Sequence, residues 1–253
     1  MKDTHTVIVG GGIIGLSIAW RLARAGRRVT IVERGKIGYE ASRLAAGILG
    51  AAAEVGFEES ELYDLCRHSL EIWPDFVREL EADSGMVVDY RSNGTLIVAN
   101  DRDSTEALRR EYAFQQEQGY SVEWLSASDV LEVEPFLSPK IVAAVRASKD
   151  HSVDNRKVLK ALHASILKLG GTVLEHTEVR ELDMKGPEVL THLRIGEPLK
   201  SSSVVLSAGA WSRQIGGIPE AAVPPVRPVK GQILELQMED PFTLHHVIRG
   251  PGA

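Results

Sequence analysis

The residues that most constrain this chain are Thr6-Val7-Ile8-Val9-Gly10-Gly11-Gly12-Ile13-Ile14-Gly15, followed by a second apolar run, Arg28-Val29-Thr30-Ile31-Val32, that ends on Glu33. A β-branched stretch meets a Gly-x-Gly-x-x-Gly turn, then a helical pattern, then another strand and an acidic residue. Together they predict one complete βαβ unit of about 30 residues. Each part has a task on a dinucleotide. Gly10 permits the tight turn, Gly12 lets bare main chain approach a pyrophosphate, and Gly15 lets the helix pack closely on the strand. The helix N-terminus offers unpaired N–H groups and a positive dipole end to phosphate. Glu33 stands where a carboxylate accepts hydrogen bonds from an adenosine ribose, and its charge opposes a 2′-phosphate.

The chain has 253 residues, enough for one large domain or two interleaved ones. A net charge of −6 gives no electrostatic reason to expect nucleic acid or an anionic membrane as partner. The single cysteine, Cys66, excludes an internal disulfide and any multi-cysteine metal site; in an amphipathic helical stretch it reads as a small buried hydrophobe. No run of about 18 apolar residues predicts a spanning helix. The apolar N-terminus is broken by three glycines and followed by Arg21 and Arg24, unlike a signal peptide, so a cytoplasmic location is expected. Adjacent His245 and His246 would point to opposite faces of a strand, which argues for solvation and against a metal site.

Further along, the pattern predicts a first helix from Ile13 to about Ala25, with Gly26 as its cap. Ala45 to Ala53 is small and apolar, suited to close approach by something flat or to a tightly packed helix. Glu59–Asp83 reads as a helix with a stripe of Leu62, Leu65, Cys66, Ser69, Trp73, Phe76, Val77 and Leu80, kinked or restarted at Pro74. Val87–Arg91 and Thr95–Ala99 around Asn93-Gly94 predict a type I′ hairpin. A polar helix (Ser104–Gln118), a strand (Ser121–Leu125), a short helix (Ser126–Glu134) and a strand (Ile141–Ala147) follow. Asp154 or Asn155 would cap a helix through Lys168, before a strand at Thr172–Glu175. Glu178–Asp183 and Val189–Ile195 predict a hairpin. Ser203–Ser212 reads as a buried strand running into a small-residue turn, where open α/β sheets bind ligands. Val226–Gln237 reads as a strand. The expected fold class is α/β, with a Rossmann-like cofactor domain (1–84 and 149–217) interleaved with an antiparallel-sheet substrate domain (85–148 and 218–253).

Placed in this order, the segments resemble the D-amino-acid oxidase superfamily of FAD-dependent amine oxidases, and within it the glycine oxidases. The resemblance is carried by Val9–Gly15, Val32-Glu33-Arg34, Ala41-Ser42 with Ala45–Leu49, Glu175–Val179, Ser207–Ser212 and Pro228–Gln232. It implies that Ile13 and Ile14 contact the FAD pyrophosphate through main chain, with Glu33 and Arg34 at the adenosine ribose and Ala41 and Ser42 at the phosphates. It also implies that Ala46, Gly47 and Ile48 pass beside the isoalloxazine, that Val179 touches the adenine end, and that Gly209 and Trp211 close over the cofactor. Ser42 read alone is equally a helix cap, Val179 a core residue and Trp211 a buried anchor. Cys66 lies outside every matching motif, so non-covalent FAD is expected.

The implied reaction is oxidation of glycine or another small amine or D-amino acid to an imine, then an oxo acid and ammonia, with O2 giving H2O2, in thiazole formation for thiamine. D-amino-acid dehydrogenases and sarcosine oxidases share these motifs, and a non-catalytic FAD-holding subunit is the third reading. Relatives are often homo-oligomers. In the family a longer C-terminal segment carries the arginine that clamps the substrate carboxylate; neither Arg227 nor Arg249 matches it, so no catalytic residue is assigned.

Overall fold

The computed structural model describes residues 5–54, 56 and 59–250. In chain order its elements are β1 (His5–Val9), α1 (Ile13–Arg24), β2 (Arg28–Val32), α2 (Ala41–Leu44), β3 (Ile48–Leu49), α3 (Ser60–Ser84) and β4 (Thr95–Ala99). Then come α4 (Arg102–Glu117), β5 (Val122–Ser126), α5 (Ala127–Val133), β6 (Ala143–Ala147), β7 (His151–Ser152) and α6 (Asn155–Lys168). The last are β8 (Thr172–Leu174), β9 (Val179–Asp183), β10 (Val189–Leu193), β11 (Leu199–Ser201), β12 (Ser203–Leu206) and β13 (Val247–Arg249). The chain divides into two compact units, one of residues 1–46, 79–88 and 155–233, the other of residues 47–78, 89–154 and 234–253.

In the first unit a parallel sheet runs in the order β12-β1-β2-β8. Val7, Ile8 and Val9 are all buried because this sheet is covered on both faces. Val7, Val9 and Val32 pack with Val179 and Leu182 of the antiparallel sheet β11-β10-β9. Ile8 alternates to the other face, where α1 and α6 bury Leu16, Trp20, Leu162 and Ile166. Trp20 is fully buried and donates its indole N–H to Asp83, which satisfies the one polar atom of the ring. Fully burying such large side chains supplies about 1.5–3 kcal/mol each. β12 is only half-buried, not the buried strand expected of Ser203–Leu206, because it is the sheet's edge.

In the second unit the sheet order is β13-β4-β6-β5. All five residues of β4 are buried, because alternate side chains feed two cores. Ile97 and Ala99 meet Leu108 and Tyr120, while Leu96 and Val98 meet Val130 and Ile141. α4 and α5 each start with a capping box, Asp101 with Ser104 and Ser126 with Asp129. Asp150, fully buried, accepts N–H bonds from Ala51, Ala52 and Ala53, each at 3.0 Å. Burial pushes its carboxyl above the ordinary range, against the downward pull of those bonds.

Five sequence expectations change here. The Asn93-Gly94 hairpin does not form, since both edges of β4 are taken, by β6 and β13; Arg91 instead bridges Ser152. Only Gly94 of that pair has positive φ (+92°), and Asn93 donates through its side chain to the His245 carbonyl at 2.7 Å. Val226–Gln237 is not a strand: no described strand pairs with it, and Val229, Leu234 and Leu236 are exposed. Ala45–Ala53 forms no helix; Ile48 and Leu49 pair with β7. α3 continues through Pro74 without a restart, and its apolar stripe is displaced: Leu62 and Leu65 are exposed, Cys66 is half-buried, and Leu70, Val77 and Leu80 are buried. His246, finally, is not solvated. Its ring and main-chain N–H both meet the fully buried Glu134, at 2.8 and 2.6 Å. The neighbouring His245 side chain stays exposed.

Candidate cofactor site

The first unit holds a cavity of about 470 Å³ at the C-terminal ends of its parallel strands. Gly10, Gly12, Ile13, Ile14, Glu33, Arg34, Ala41, Ser42, Val179, Gly209 and Trp211 all line it. The turn between β1 and α1 has the shape its glycines require. Gly10 has φ +106°, and a Cβ there would stand 2.4 Å from the Ser207 carbonyl oxygen. A Cβ on Gly15 would stand 2.1 Å from the Gly10 oxygen, so this glycine serves helix packing and does not line the cavity. Gly12 differs, since a Cβ there would meet only the Ser42 hydroxyl, at 3.1 Å, within the cavity wall.

Gly12 is the N-cap of α1 and supplies no side-chain bond, and the first turn of the helix carries no acidic residue. The positive end of the helix dipole is therefore uncompensated by its own sequence. The Ile13 N–H is received instead by the Ser42 hydroxyl at 2.9 Å, from α2. Ser42 is thus both a cap and part of the cavity wall, and its own hydroxyl hydrogen is left to donate. Ile14 is largely exposed on that wall.

Glu33, 8% exposed, receives the Gly11 N–H on one carboxylate oxygen and the Gly35 N–H on the other, both at 2.8 Å. Each oxygen has a second lone pair, so the held carboxylate can still accept from a hydroxyl in the cavity. The Arg34 guanidinium lies 3.6 Å above the Trp211 ring and pairs with Glu40 at 2.9 Å. Val179 is buried in the core and also forms part of the wall. Glu40, Thr177, Glu178, Arg180, Ser207, Gln214 and Arg227 complete the polar lining; sequence reasoning assigned none of these to the cofactor. Ser207 and Thr177–Glu178 lie inside segments already picked out, so position beside a motif was the available signal. Arg227 borders the Pro228–Gln232 segment and was weighed only as a substrate clamp, and Arg180 had no signal.

Ala46, Gly47 and Ile48 do not line this cavity. Gly47 has φ +76° and its carbonyl accepts the Val153 N–H, and Ile48 begins β3. Among the described residues, no group of three or more His, Cys, Asp or Glu is placed to hold a metal ion, and no helix is long and apolar enough to cross a membrane.

The donor set fits a dinucleotide: the positive N-terminal end of α1 and a hydroxyl for phosphate, a carboxylate for ribose, and a cleft floor that any Cβ at Gly12 would narrow. Comparison with known proteins agrees. Glycine oxidase of Geobacillus kaustophilus (strain HTA426) is 32% identical over 238 residues, covering 93% of this chain and 62% of the relative. The bifunctional protein ThiO/ThiG of Synechocystis sp. is 30% identical over 261 residues, covering 99% of this chain and 36% of the relative. The crystal structure of glycine oxidase from Geobacillus kaustophilus superposes with a TM-score of 0.78 at 30% identity, over 83% of this chain and 57% of that one. This chain therefore spans less than two thirds of the length of these relatives. The family model described as DAO, FAD dependent oxidoreductase, matches residues 5–252, and the chain belongs to that FAD-dependent family.

Proposed function

We propose that this chain holds FAD non-covalently in the cavity of its first unit, for the oxidative deamination of glycine or another small amine or D-amino acid. The products would be an imine, hydrolysed to an oxo acid and ammonia, and H2O2 from O2. The observation that carries this reading is the convergence of the α1 N-terminus, Ser42, Glu33 and Trp211 on one cavity in a chain of this family. Bound FAD supplies the acceptor for hydride from the substrate α-carbon and the route for electrons to O2.

The protein's own part is to bind, orient and exclude water. The main chain of Gly12–Ile14 and the Ser42 hydroxyl hold the pyrophosphate, Glu33 and Arg34 hold the adenosine ribose, and Val179 meets the adenine end. Gly209 and Trp211 close over the cofactor; Ala46, Gly47 and Ile48, which do not line this cavity, are kept as flanking the isoalloxazine on the family resemblance alone. Residues 1–84 and 149–217 form the FAD domain in this reading, and 85–148 with 218–253 the substrate domain. The name of the ThiO/ThiG relative supports a place in making the thiazole of thiamine. A cytoplasmic location and self-association accompany this reading.

The test is to purify the protein and read its flavin absorbance, then add glycine without oxygen. Bleaching by glycine, sarcosine or a D-amino acid, reversed by O2, is the expected result. Bound FAD that none of these reduces would end the oxidase reading, and reoxidation by a quinone analogue but not O2 would make it a dehydrogenase. Gly12→Val places a branched side chain in the cradle and should weaken FAD binding at least about 100-fold. Normal flavin retention in that variant would refute the site.

A further inference from the structure

We propose that Asn155 is a positioning residue for the phosphate cradle, acting through Ser42; the proposal rests on the FAD reading of the cavity. The need for such a residue follows from α2. It is a single turn of four residues, its N-cap Glu40 makes no side-chain cap bond, and none of its residues is buried. One turn of helix does not hold itself together in water, because nucleation costs more than one or two hydrogen bonds return. Yet Ser42 on this turn must keep its hydroxyl within 2.9 Å of the Ile13 N–H and over the Gly12 position.

Asn155 supplies the constraint from outside. Its side-chain amide donates to the Ser42 carbonyl at 2.6 Å and to the Arg43 carbonyl at 3.0 Å, across more than a hundred residues of chain. Both of its amide hydrogens are thereby spent on the carbonyls of one short turn. Asn155 itself begins α6, which is seated in the core by Val158, Leu162 and Ile166 and packs on both α1 and α2. A continuous path results: core-anchored α6, the Asn155 amide, the Ser42 main chain, the Ser42 hydroxyl, and the first N–H of α1. That hydroxyl accepts from Ile13 and keeps its own hydrogen to donate, so a phosphate oxygen arriving in the cavity that Ser42 lines meets a donor whose oxygen is already held in place.

Two variants and a cycle test this. Asn155→Ala removes the amide. Asn155→Asp keeps the size and is well suited to a helix first turn, but it has no hydrogen to donate. Each should raise the FAD dissociation constant roughly tenfold, as for loss of a partly buried pair of hydrogen bonds, and should shift the phosphorus resonances of bound FAD. In a Ser42→Ala background the same Asn155 changes should alter FAD affinity by less than about twofold, because the path is already cut. A residue that merely stabilises α6 would lower the melting temperature and weaken FAD equally in both backgrounds. That equal loss, or wild-type FAD affinity in Asn155→Asp, overturns the proposal. Should the unaltered protein bind no FAD at all, the cofactor reading itself fails, which the Asn155 variants alone would not show.

Discussion

Glu33 in the first unit and Asp150 in the second are both carboxylates removed from solvent, and both spend their oxygens on main-chain N–H groups. Asp150 is wholly enclosed and holds three successive alanine N–H groups. Glu33 holds only two, from Gly11 and Gly35, and keeps one side on the cavity. The first is a closed arrangement whose value lies in the conformation of residues 51–53. The second is held just as firmly but left with lone pairs to offer, which is what a preorganised binding group requires. The lesson is that a buried carboxylate is read by what its remaining lone pairs face, more than by its burial.

The contrast can be broken by mutation. The largest effect should come from Asp150→Ala, which strands three buried N–H groups and should cost about 3 kcal/mol in denaturant unfolding. An unchanged midpoint would mean that residues 51–53 need no external acceptor. Next, Glu33→Gln turns one acceptor oxygen into a donor facing a main-chain N–H and removes the charge at the ribose. FAD should bind roughly tenfold more weakly by fluorescence titration, while unfolding should lose only about 1 kcal/mol, for the single N–H left facing a donor. If stability fell and affinity did not, Glu33 would belong with Asp150 as a structural clamp.

The smallest effect is a pH dependence beside Asp150. His151 meets the Tyr90 hydroxyl at 2.7 Å, and burial, with Lys149 nearby, holds its pKa below the ordinary histidine value. The unfolded chain then takes up a proton before the folded one does. This contribution is complete above the unfolded value of about 6.5 and is lost as pH falls through the lower folded value. His151→Asn should flatten the melting-temperature curve over that window, and an unaltered slope would assign it to other groups.

What the sequence determined by itself was the local chemistry. The Gly10–Gly15 turn, α1, β2 and Glu33 could be read directly, because each is specified by neighbours within one βαβ unit and by sterics that only glycine satisfies. Capped helices such as α4 and α5 were legible for the same reason. The tertiary structure alone decided the pairings between distant segments. Asn93-Gly94 carries a strong hairpin signal, yet β13, about 150 residues away, takes the place beside β4 that the hairpin partner would have used. Val226–Gln237 alternates like a strand, but alternation gives a strand no partner. Glu134 with His246, Asp150 with Ala51–Ala53 and Asn155 with Ser42 have no local signature, since each bond joins residues roughly a hundred positions apart. A side chain's donors and acceptors are legible in its formula; which distant main-chain group they reach depends on the packing of the core that brings them together.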